Sequence, residues 1–443
     1  MILQEVKEII KKLNNTDFKA YIVGGAVRNI LTGITPLDFD LTTDALPDQI
    51  MTIFKDYPLY TVGKKHGTIA IILNDQKFEI TTMRTDGEYT DFRHPKSVMF
   101  TKDLKSDLSR RDFTMNAMAM SLDGEVIDYF GGLTDLKNKI LRAVGKPESR
   151  FKEDPLRILR ALRFASEYGL TIDDKSRNAL FFYKNLLNKI APERISEEFS
   201  KTVCGKFAGQ VILEYNEIIS VFIPEITACR GFLQKSKYHK YDILEHICKS
   251  IDAVKPEKAL RLTMFFHDIG KPFSFQEKND TRHFKGHAEQ SFIIAKRVFK
   301  RLRYDSKTTN TTLFLIKFHD YLSAKKQLTK KSVQRMMLKF GYNRLKMLCE
   351  IHKADDSAKA DFVKERVAYY EKILNIAKEI SDSGECYTLK NLAVNGHDII
   401  SLGFEGKTVG KIKNRLLYEV IENNLPNNKD ILKNFIDKNR NMW

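Results

Sequence analysis

The chain has 443 residues, 42 % of them hydrophobic and 30 % charged, with a formal charge of +17. At roughly 150 residues per domain that length holds two to four domains with buried cores, and no apolar run approaches the ~20 residues of a membrane span, which excludes a helical membrane protein. Five scattered cysteines without a C-x-x-C pair exclude a disulfide framework and a cysteine zinc site, and fit a reducing cytoplasm. The positive balance favours a polyanionic partner, most simply nucleic acid, over the bland alternative of a merely lysine-rich composition.

In chain order, "MILQEVKEIIKKLNN" predicts an amphipathic helix with Ile2, Val6, Ile9, Ile10 and Leu13 on one face. It lacks the unbroken apolar core and cleavage site of a signal peptide. "FKAYIVGG", "GTIAIIL", "DQKFEITTM" and "GEVIDYFGG" predict short strands, so residues 18 to 130 read as mixed α/β. From about residue 137 the pattern turns almost wholly helical. "EDPLRILRALRFASEYG" has helical spacing with a glycine stop, and "APERISEEFSKTV" starts a helix with Pro192 near its first turn. The region 240 to 380 reads as helical with lysine-rich faces.

Chemistry concentrates first in "YIVGGAVRN" and "PLDFDLTTD". Gly24 and Gly25 after a strand let backbone N–H groups approach a phosphate, and Arg28 adds charge. Asp38 and Asp40, two residues apart on one strand face, suit Mg²⁺, with Glu79 in "KFEITT" as the third carboxylate on a neighbouring strand. The competing reading is a solvated strand edge. Further on, "RRDFTMNAMA" gathers two arginines, an aspartate and an asparagine, and "EDPLRILRALRF", if helical, sets Asp154, Arg157 and Arg160 in one row. Such spacing suits a surface ion pair. It also suits a carboxylate and a guanidinium that together read the Watson–Crick edge of a base.

In these segments, with "GKKHGT", "RTDGEYTDFRHPKSVMF" and "LAVNGHDII", the chain resembles the class II nucleotidyltransferases of the polymerase-β superfamily, specifically bacterial CCA-adding tRNA nucleotidyltransferases and their poly(A) polymerase relatives. The resemblance is dense over residues 18 to 204 and looser over the last 55 or so. It implies that Asp38 and Asp40 bind catalytic Mg²⁺, and that Gly24, Gly25 and Arg28 hold the triphosphate. Arg111, Asp112 and Asn116 would contact the nucleotide. Asp154 and Arg157 would select CTP and ATP, Glu153 would position Arg157, and Arg160 and Arg163 would add phosphate or base contacts. Asp86, Gly87, Asp91 and Arg93 fall in the segment that resembles the flexible loop switching specificity from C to A, and His66 reads as structural.

A second cluster is His246, His267, Asp268, His287, His319 and Asp320. A buried carboxylate is costly when unpaired, and imidazole with carboxylate suits Mn²⁺, Ni²⁺, Co²⁺ or Fe. The series H…HD…H…HD, with "HDIGKP", resembles the HD phosphohydrolase superfamily. It implies a bimetallic site acting on phosphomonoesters or 2′,3′-cyclic phosphates; the alternative is a scaffold without activity. Many class II enzymes of Gram-positive type carry a body without such ligands, so this cluster is a departure within the family.

The expected fold class is α+β: a polymerase-β-like head (1–139) with a mixed sheet, a helical neck for base recognition (140–204), a helical body (205–380) holding the HD-like region at about 240–325, and a helical tail (381–443). Lysine-rich segments 205 to 240 and 325 to 443, and the run "SAKKQLTKKS" at 323–332, are expected to track the acceptor and T arms of tRNA. The expected activity is template-independent CCA addition from CTP and ATP in the cytoplasm. Alternatives are an A-adding enzyme or poly(A) polymerase, and, in another class, an HD nucleotide hydrolase whose N-terminal half binds RNA.

Overall fold

The computed structural model describes residues 2–87, 92, 96–322 and 328–443. The chain divides into two units, Met1–Thr227 with Arg301–Arg303, and Ala228–Lys300 with Tyr304–Trp443.

The first unit is built on a sheet of strands β1 (Ala20–Val23), β2 (Asp40–Thr43), β3 (Leu59–Tyr60), β4 (Thr68–Leu73) and β5 (Gln76–Thr82). A hairpin, β6 (Arg84–Asp86) and β7 (Val98–Phe100), stands apart, and β8 (Met118–Met120) and β9 (Val126–Asp128) return to the main sheet. The seven-stranded order is β3-β4-β5-β2-β1-β8-β9. One face is covered by the Gln4–Asn14 helix, because Val6, Ile9, Ile10 and Leu13 recur at helical spacing and are all buried. They join Ile22, Phe39, Leu41, Phe78 and Ile80 in one core. Each such side chain contributes about 1.5–3 kcal/mol when fully buried. Phe39 is the anchor that matters for function: buried between two exposed aspartates, it fixes how the start of β2 meets solvent.

Parallel pairing of β2 with β5 sets Asp40 opposite Glu79, and antiparallel pairing with β1 sets Asp40 opposite Val23. The turn carrying Gly24 and the carboxylate of Asp40 therefore lie at the same end of adjacent strands. Asp38 precedes β2 rather than lying in it.

After the sheet the chain is mainly helical, with small exceptions. Ile140–Leu141 and Thr171–Ile172 form a two-stranded parallel pair, and Gln276–Lys278 with Thr281–His283 forms a hairpin inside the region expected to be all helix. Its turn places Asn279 and Asp280 at positive φ, a conformation that asparagine and aspartate tolerate better than most residues.

The expected single helix over "EDPLRILRALRF" is two helices, Pro147–Glu153 and Leu156–Tyr168. Pro155 is the reason. A residue before proline is driven from the helical region, and Asp154 is extended (φ −138°, ψ 98°). Asp154 and Arg157 are therefore not one row of a helix face.

In the second unit, helices Ile243–Ala253, Lys258–Phe266, His287–Arg301, Ser306–Lys317, Tyr342–Ser357 and Val367–Asp382 supply the residues of interest. The last segment has its own core of Val394, Ile399, Ile412, Leu416, Leu432 and Ile436.

Candidate functional sites

In the first unit, a cavity of about 410 Å³ is lined by Gly24, Gly25, Arg28, Asp40, Arg111, Asp112, Asn116, Asp154, Arg157, Arg160 and Arg163. Eleven of the residues expected from the sequence thus share one wall. Gly24 is required by backbone and by space: its φ is +70°, and a Cβ there would stand 3.1 Å from the Arg111 guanidinium and 3.9 Å from Asp40 Oδ2. Asp40's carboxyl is raised above the ordinary aspartate range, first by withdrawal from water within the cleft and further by Glu79 and Asp38, against the pull of Arg111. The exposed Asp38 completes the carboxylate group, while Glu79 is held at 2.7 Å by Lys77. The three carboxylates do not draw their oxygens within 4.8 Å of one another.

Deeper in, Asp112 is the hub. Its Oδ1 accepts from Asn116 Nδ2 (3.0 Å) and the Phe113 N–H (2.8 Å), and its Oδ2 accepts from Arg160 Nε (2.8 Å) and lies 2.6 Å from Arg160 Nη2. Burial opposes ionisation there, but Arg160 and Asn116 overcome it and hold the carboxyl well below the usual range. Arg28 is buried; it donates to Asn116 Oδ1 (2.7 Å) and to Tyr168 Oη (2.8 Å) and lies over the Tyr168 ring. Burial lowers its pKa and that of Arg111.

The expected support of Arg157 by Glu153 is present. Arg157 Nη1 donates to Glu153 Oε2 at 2.8 Å, and its Nη2 donates to the Arg110 carbonyl at 3.1 Å. Glu153 is gripped from its other oxygen by Arg150 (2.8 Å). Asp154 Oδ1 accepts the Leu156 N–H at the start of the second helix, and its other oxygen meets Arg194 at 3.1 Å. Arg163 donates to Glu198 (3.2 Å). Sequence reasoning did not find Arg110, Arg150, Tyr168 or Arg194. Arg194 comes from the separate Pro192–Cys204 helix and follows no local spacing, whereas Tyr168 ends the helix that carries Arg157, Arg160 and Arg163.

Asp86 is the last paired residue at the loop end of the β6–β7 hairpin, 3.1 Å from Arg84, and Gly87 donates its N–H to Ser97 O (2.9 Å). Asp91 and Arg93 lie outside the described residues, as do positions 323–327 of the basic run.

The second unit gathers its histidines tightly. Asp242 caps the Ile243–Ala253 helix and places His246 one turn in. His267 ends the Lys258–Phe266 helix. The turn after it needs Gly270, where a Cβ would stand 2.4 Å from the Ser291 nitrogen. That close approach brings the His287–Arg301 helix onto Asp268. Two groups result, each with ligand atoms within 4.8 Å: His246, His267, Asp268 and Asp355, and Asp268, His287 and His319. Asp268 belongs to both. Asp320, expected as the sixth ligand, is exposed on the rim of the neighbouring cavity and outside both groups; Asp355 of the Tyr342–Ser357 helix stands there instead, beyond the 240–325 range expected for this site.

The tautomers identify the chemistry. His267, His287 and His319 each direct Nδ1 at a backbone carbonyl (2.7, 2.8 and 2.7 Å), and His246 does so at 3.3 Å. Carbonyls only accept, so every Nδ1 carries hydrogen and every Nε2 of a neutral ring presents a lone pair. Those lone pairs face each other, His246 to His267 at 3.3 Å and His287 to His319 at 3.0 Å. Such pairs are repulsive unless something cationic sits between them. Burial lowers His267, and lowers His287 to about 4, while carboxylate partners raise His246 and His319 against the effect of burial. Each pair can thus share one proton where a divalent ion would fit. The donor set of imidazoles and carboxylates suits Mn²⁺, Ni²⁺, Co²⁺ or Fe.

Comparison with known proteins defines the class. The poly(A) polymerase head-domain family matches residues 20–142, the "RNA and SrmB- binding site of polymerase A" family matches 169–229, and tRNA nucleotidyltransferase domain 2 matches 289–436. The chain is 45 % identical over 204 residues to the CCA-adding enzyme of Bacillus subtilis, covering 46 % of this chain and 51 % of that protein. It is 46 % identical over 202 residues to the Enterococcus faecalis CCA-adding enzyme, covering 46 % and 49 %. These matches span about half the length of the curated relatives. A crystal structure of the Bacillus stearothermophilus CCA-adding enzyme in complex with CTP matches with a TM-score of 0.72 at 26 % identity, covering 99 % of this chain and 98 % of that one. The fold is that of a nucleotidyltransferase with a polymerase-type head. Over its first half the chain is similar to bacterial CCA-adding enzymes, and it carries a poly(A) polymerase head domain at residues 20–142.

Proposed function

We propose that the chain adds C, C and A from CTP and ATP to tRNA 3′ ends without a nucleic-acid template. The observation that carries this reading is the Arg157 guanidinium, fixed by Glu153 and the Arg110 carbonyl on the wall of the cavity that also holds Gly24 and Asp40. A guanidinium held at two nitrogens presents its remaining N–H edge in one orientation, as base reading requires. Asp112, locked by Arg160 and Asn116, would contact the nucleotide beside it, and Arg28, Arg111 and Arg163 make the wall strongly cationic for a triphosphate.

Asp38 and Asp40 fit Mg²⁺: they are hard oxygen donors at the cleft, and the Asp40 carboxyl, raised chiefly by withdrawal from water and further by Glu79 and Asp38, would be held ionised by a divalent ion. Bound there, Mg²⁺ would assist ionisation of the RNA 3′-hydroxyl and neutralise charge on the departing pyrophosphate. Glu79, in register with Asp40, would extend that carboxylate group. The residues themselves bind, orient and select; no histidine of the first unit is needed as a general base. The acceptor and T arms of tRNA would follow the lysine-rich helical segments. No helix among the described residues is long and apolar enough to cross a membrane, in keeping with action in the cytoplasm. Extension of tRNA transcripts ending before CCA, at C and at CC tests the reading: A-addition alone would extend only the last, and a poly(A) polymerase would make long A tails.

A second activity is favoured by the facing Nε2 pairs of the second unit. His246, His267, Asp268, Asp355, His287 and His319 would hold divalent metal, with Asp268 contributing to both groups, and metal held there would supply Lewis-acid polarisation of a phosphoryl group and activation of water. The substrate would be a phosphomonoester or a 2′,3′-cyclic phosphate, as on a damaged tRNA end. If the purified protein with Ni²⁺ or Mn²⁺ leaves 2′,3′-cAMP and 3′-AMP intact, this reading fails.

A further inference from the structure

The cavity beside the imidazole cluster encloses about 350 Å³. Among its described lining residues are three cationic side chains, Lys271, Lys359 and Arg366. Two are committed to the carboxylates that supply ligand atoms. Lys271 Nζ lies 2.6 Å from Asp268 Oδ2 and donates to Gln234 Oε1 at 2.8 Å. Lys359 Nζ lies 2.6 Å from Asp355 Oδ2 and 2.9 Å from Asp356 Oδ1. Lys359 thus holds Asp355 by the oxygen turned away from the histidines, whereas Lys271 shares Asp268 Oδ2 with His246 (3.3 Å) and His267 (3.4 Å).

Arg366 is different. Among the described residues no carboxylate or carbonyl stands within bonding distance of its guanidinium, whose carbon lies 5.7 Å from the centre of the Tyr238 ring. Its backbone is helical (φ −69°, ψ −18°) at the start of the Val367–Asp382 helix, so the side chain is rooted on a regular element. It is half-buried. A guanidinium that is partly withdrawn from water, braced by an aromatic ring and left without an anion has its donor edge available to a ligand.

We propose that Arg366 is the substrate-anchoring residue of this cavity and that the group it grips is a phosphate-monoester dianion. The inference rests on the bimetallic reading given above. Charge selects the ligand class: the cavity's described walls carry four carboxylates (Asp268, Asp320, Asp355, Asp356) against three cations. With neutral histidines, two divalent ions turn that excess of one negative charge into three positive charges, which favours a doubly charged anion. Shape agrees, because the planar fork of a guanidinium matches two phosphate oxygens and remains protonated under all working conditions. An ammonium offers the charge without the fork. Arg366 is thereby the one cation of the wall that distinguishes a phosphate by geometry, with Lys271 and Lys359 retaining their carboxylates.

The test uses the full-length protein loaded with Mn²⁺, freed of excess metal, and titrated with inorganic phosphate by calorimetry. Wild type, Arg366→Gln and Arg366→Lys are compared, with Mn²⁺ stoichiometry measured separately for each. The expected result is equal Mn²⁺ content in all three, phosphate binding at least tenfold weaker in Arg366→Gln, and an intermediate affinity in Arg366→Lys. Equal phosphate affinity within twofold for wild type and Arg366→Gln, at equal Mn²⁺ content, overturns the role of Arg366 while leaving the metal centre standing. A wild-type protein that takes up no Mn²⁺ overturns the metal centre and this inference with it. Mn²⁺-loaded wild type that binds no phosphate overturns the inference alone.

Discussion

Glu153 Oε2 and Arg157 Nη1 lie 2.8 Å apart across the end of one helix and the start of the next. The break between them, at Asp154 and Pro155, is what lets them meet in this way while Asp154 turns aside to Arg194. Because Glu153 is also bonded by Arg150, Arg157 is held by a partner that is itself held.

Loss of that support should cost selectivity before it costs turnover. Glu153→Gln removes the charge that holds one nitrogen of Arg157, leaving the Arg110 carbonyl on the other, and Arg157→Ala removes the guanidinium. A bidentate base contact discriminates by about 1–3 kcal/mol, so kcat/KM ratios for CTP or ATP over UTP and GTP should fall by roughly 5- to 150-fold in Arg157→Ala. Glu153→Gln should fall less. Single-nucleotide incorporation kinetics with all four triphosphates measure both.

Asp40→Ala should reduce incorporation by three orders of magnitude or more at unchanged tRNA affinity, since its carboxylate lies in the cavity at the start of β2 and not on a lysine-rich helix. Gel-shift titration beside an incorporation assay separates the two effects.

The Asp112–Arg160 pair should show itself in stability against pH. Asp112's folded pKa is depressed, so its stabilisation is fully present above the unfolded value of about 3.9 and is lost as pH falls through the lower folded value. Asp112→Asn leaves the half-buried Arg160 without its nearest counter-charge and should cost about 1.5–3 kcal/mol at pH 7. The gap between wild type and variant should narrow below about pH 4. Urea denaturation at pH 7, 5 and 3.5 gives the comparison.

Asp355→Asn should lower Mn²⁺ or Ni²⁺ content and affinity at least tenfold, and Asp320→Asn should leave both unchanged. Elemental analysis after dialysis against limiting metal, with calorimetric titration, distinguishes them. Loss of metal in Asp320→Asn with none in Asp355→Asn would reverse the assignment made here.

Much of this was legible in the sequence, and the failures have physical causes. The strands "AYIV" and "KFEITT", the Gly-Gly turn and the aspartates two apart place the first site because each is a local pattern. Pro155 was equally visible, yet helical spacing on both sides of it masked the break that separates Asp154 from the row of Arg157 and Arg160. Arg194 reaches the site only through packing of a distant helix, whereas Tyr168 closes the helix of Arg157 and Arg160 and finds Arg28 only through the fold. In the second unit, adjacency misled: "HD" at 267–268 turns both side chains inward because the chain bends at a helix end against Ser291, whereas at 319–320 only the histidine turns in. Asp355 sits in a helix of weak amphipathic contrast, in "HKADD" beside His352 and Asp356, a signal that lies outside the H…HD…H…HD series and more than thirty residues beyond its last member.

The central claim is template-independent CCA addition, and the most direct measurement is extension of three tRNA transcripts, ending before CCA, at C and at CC, with Mg²⁺, CTP and ATP. All three should be completed to a single CCA end and then stop. Extension of the CC-ended transcript alone, or growth of A tails on all three, would contradict it.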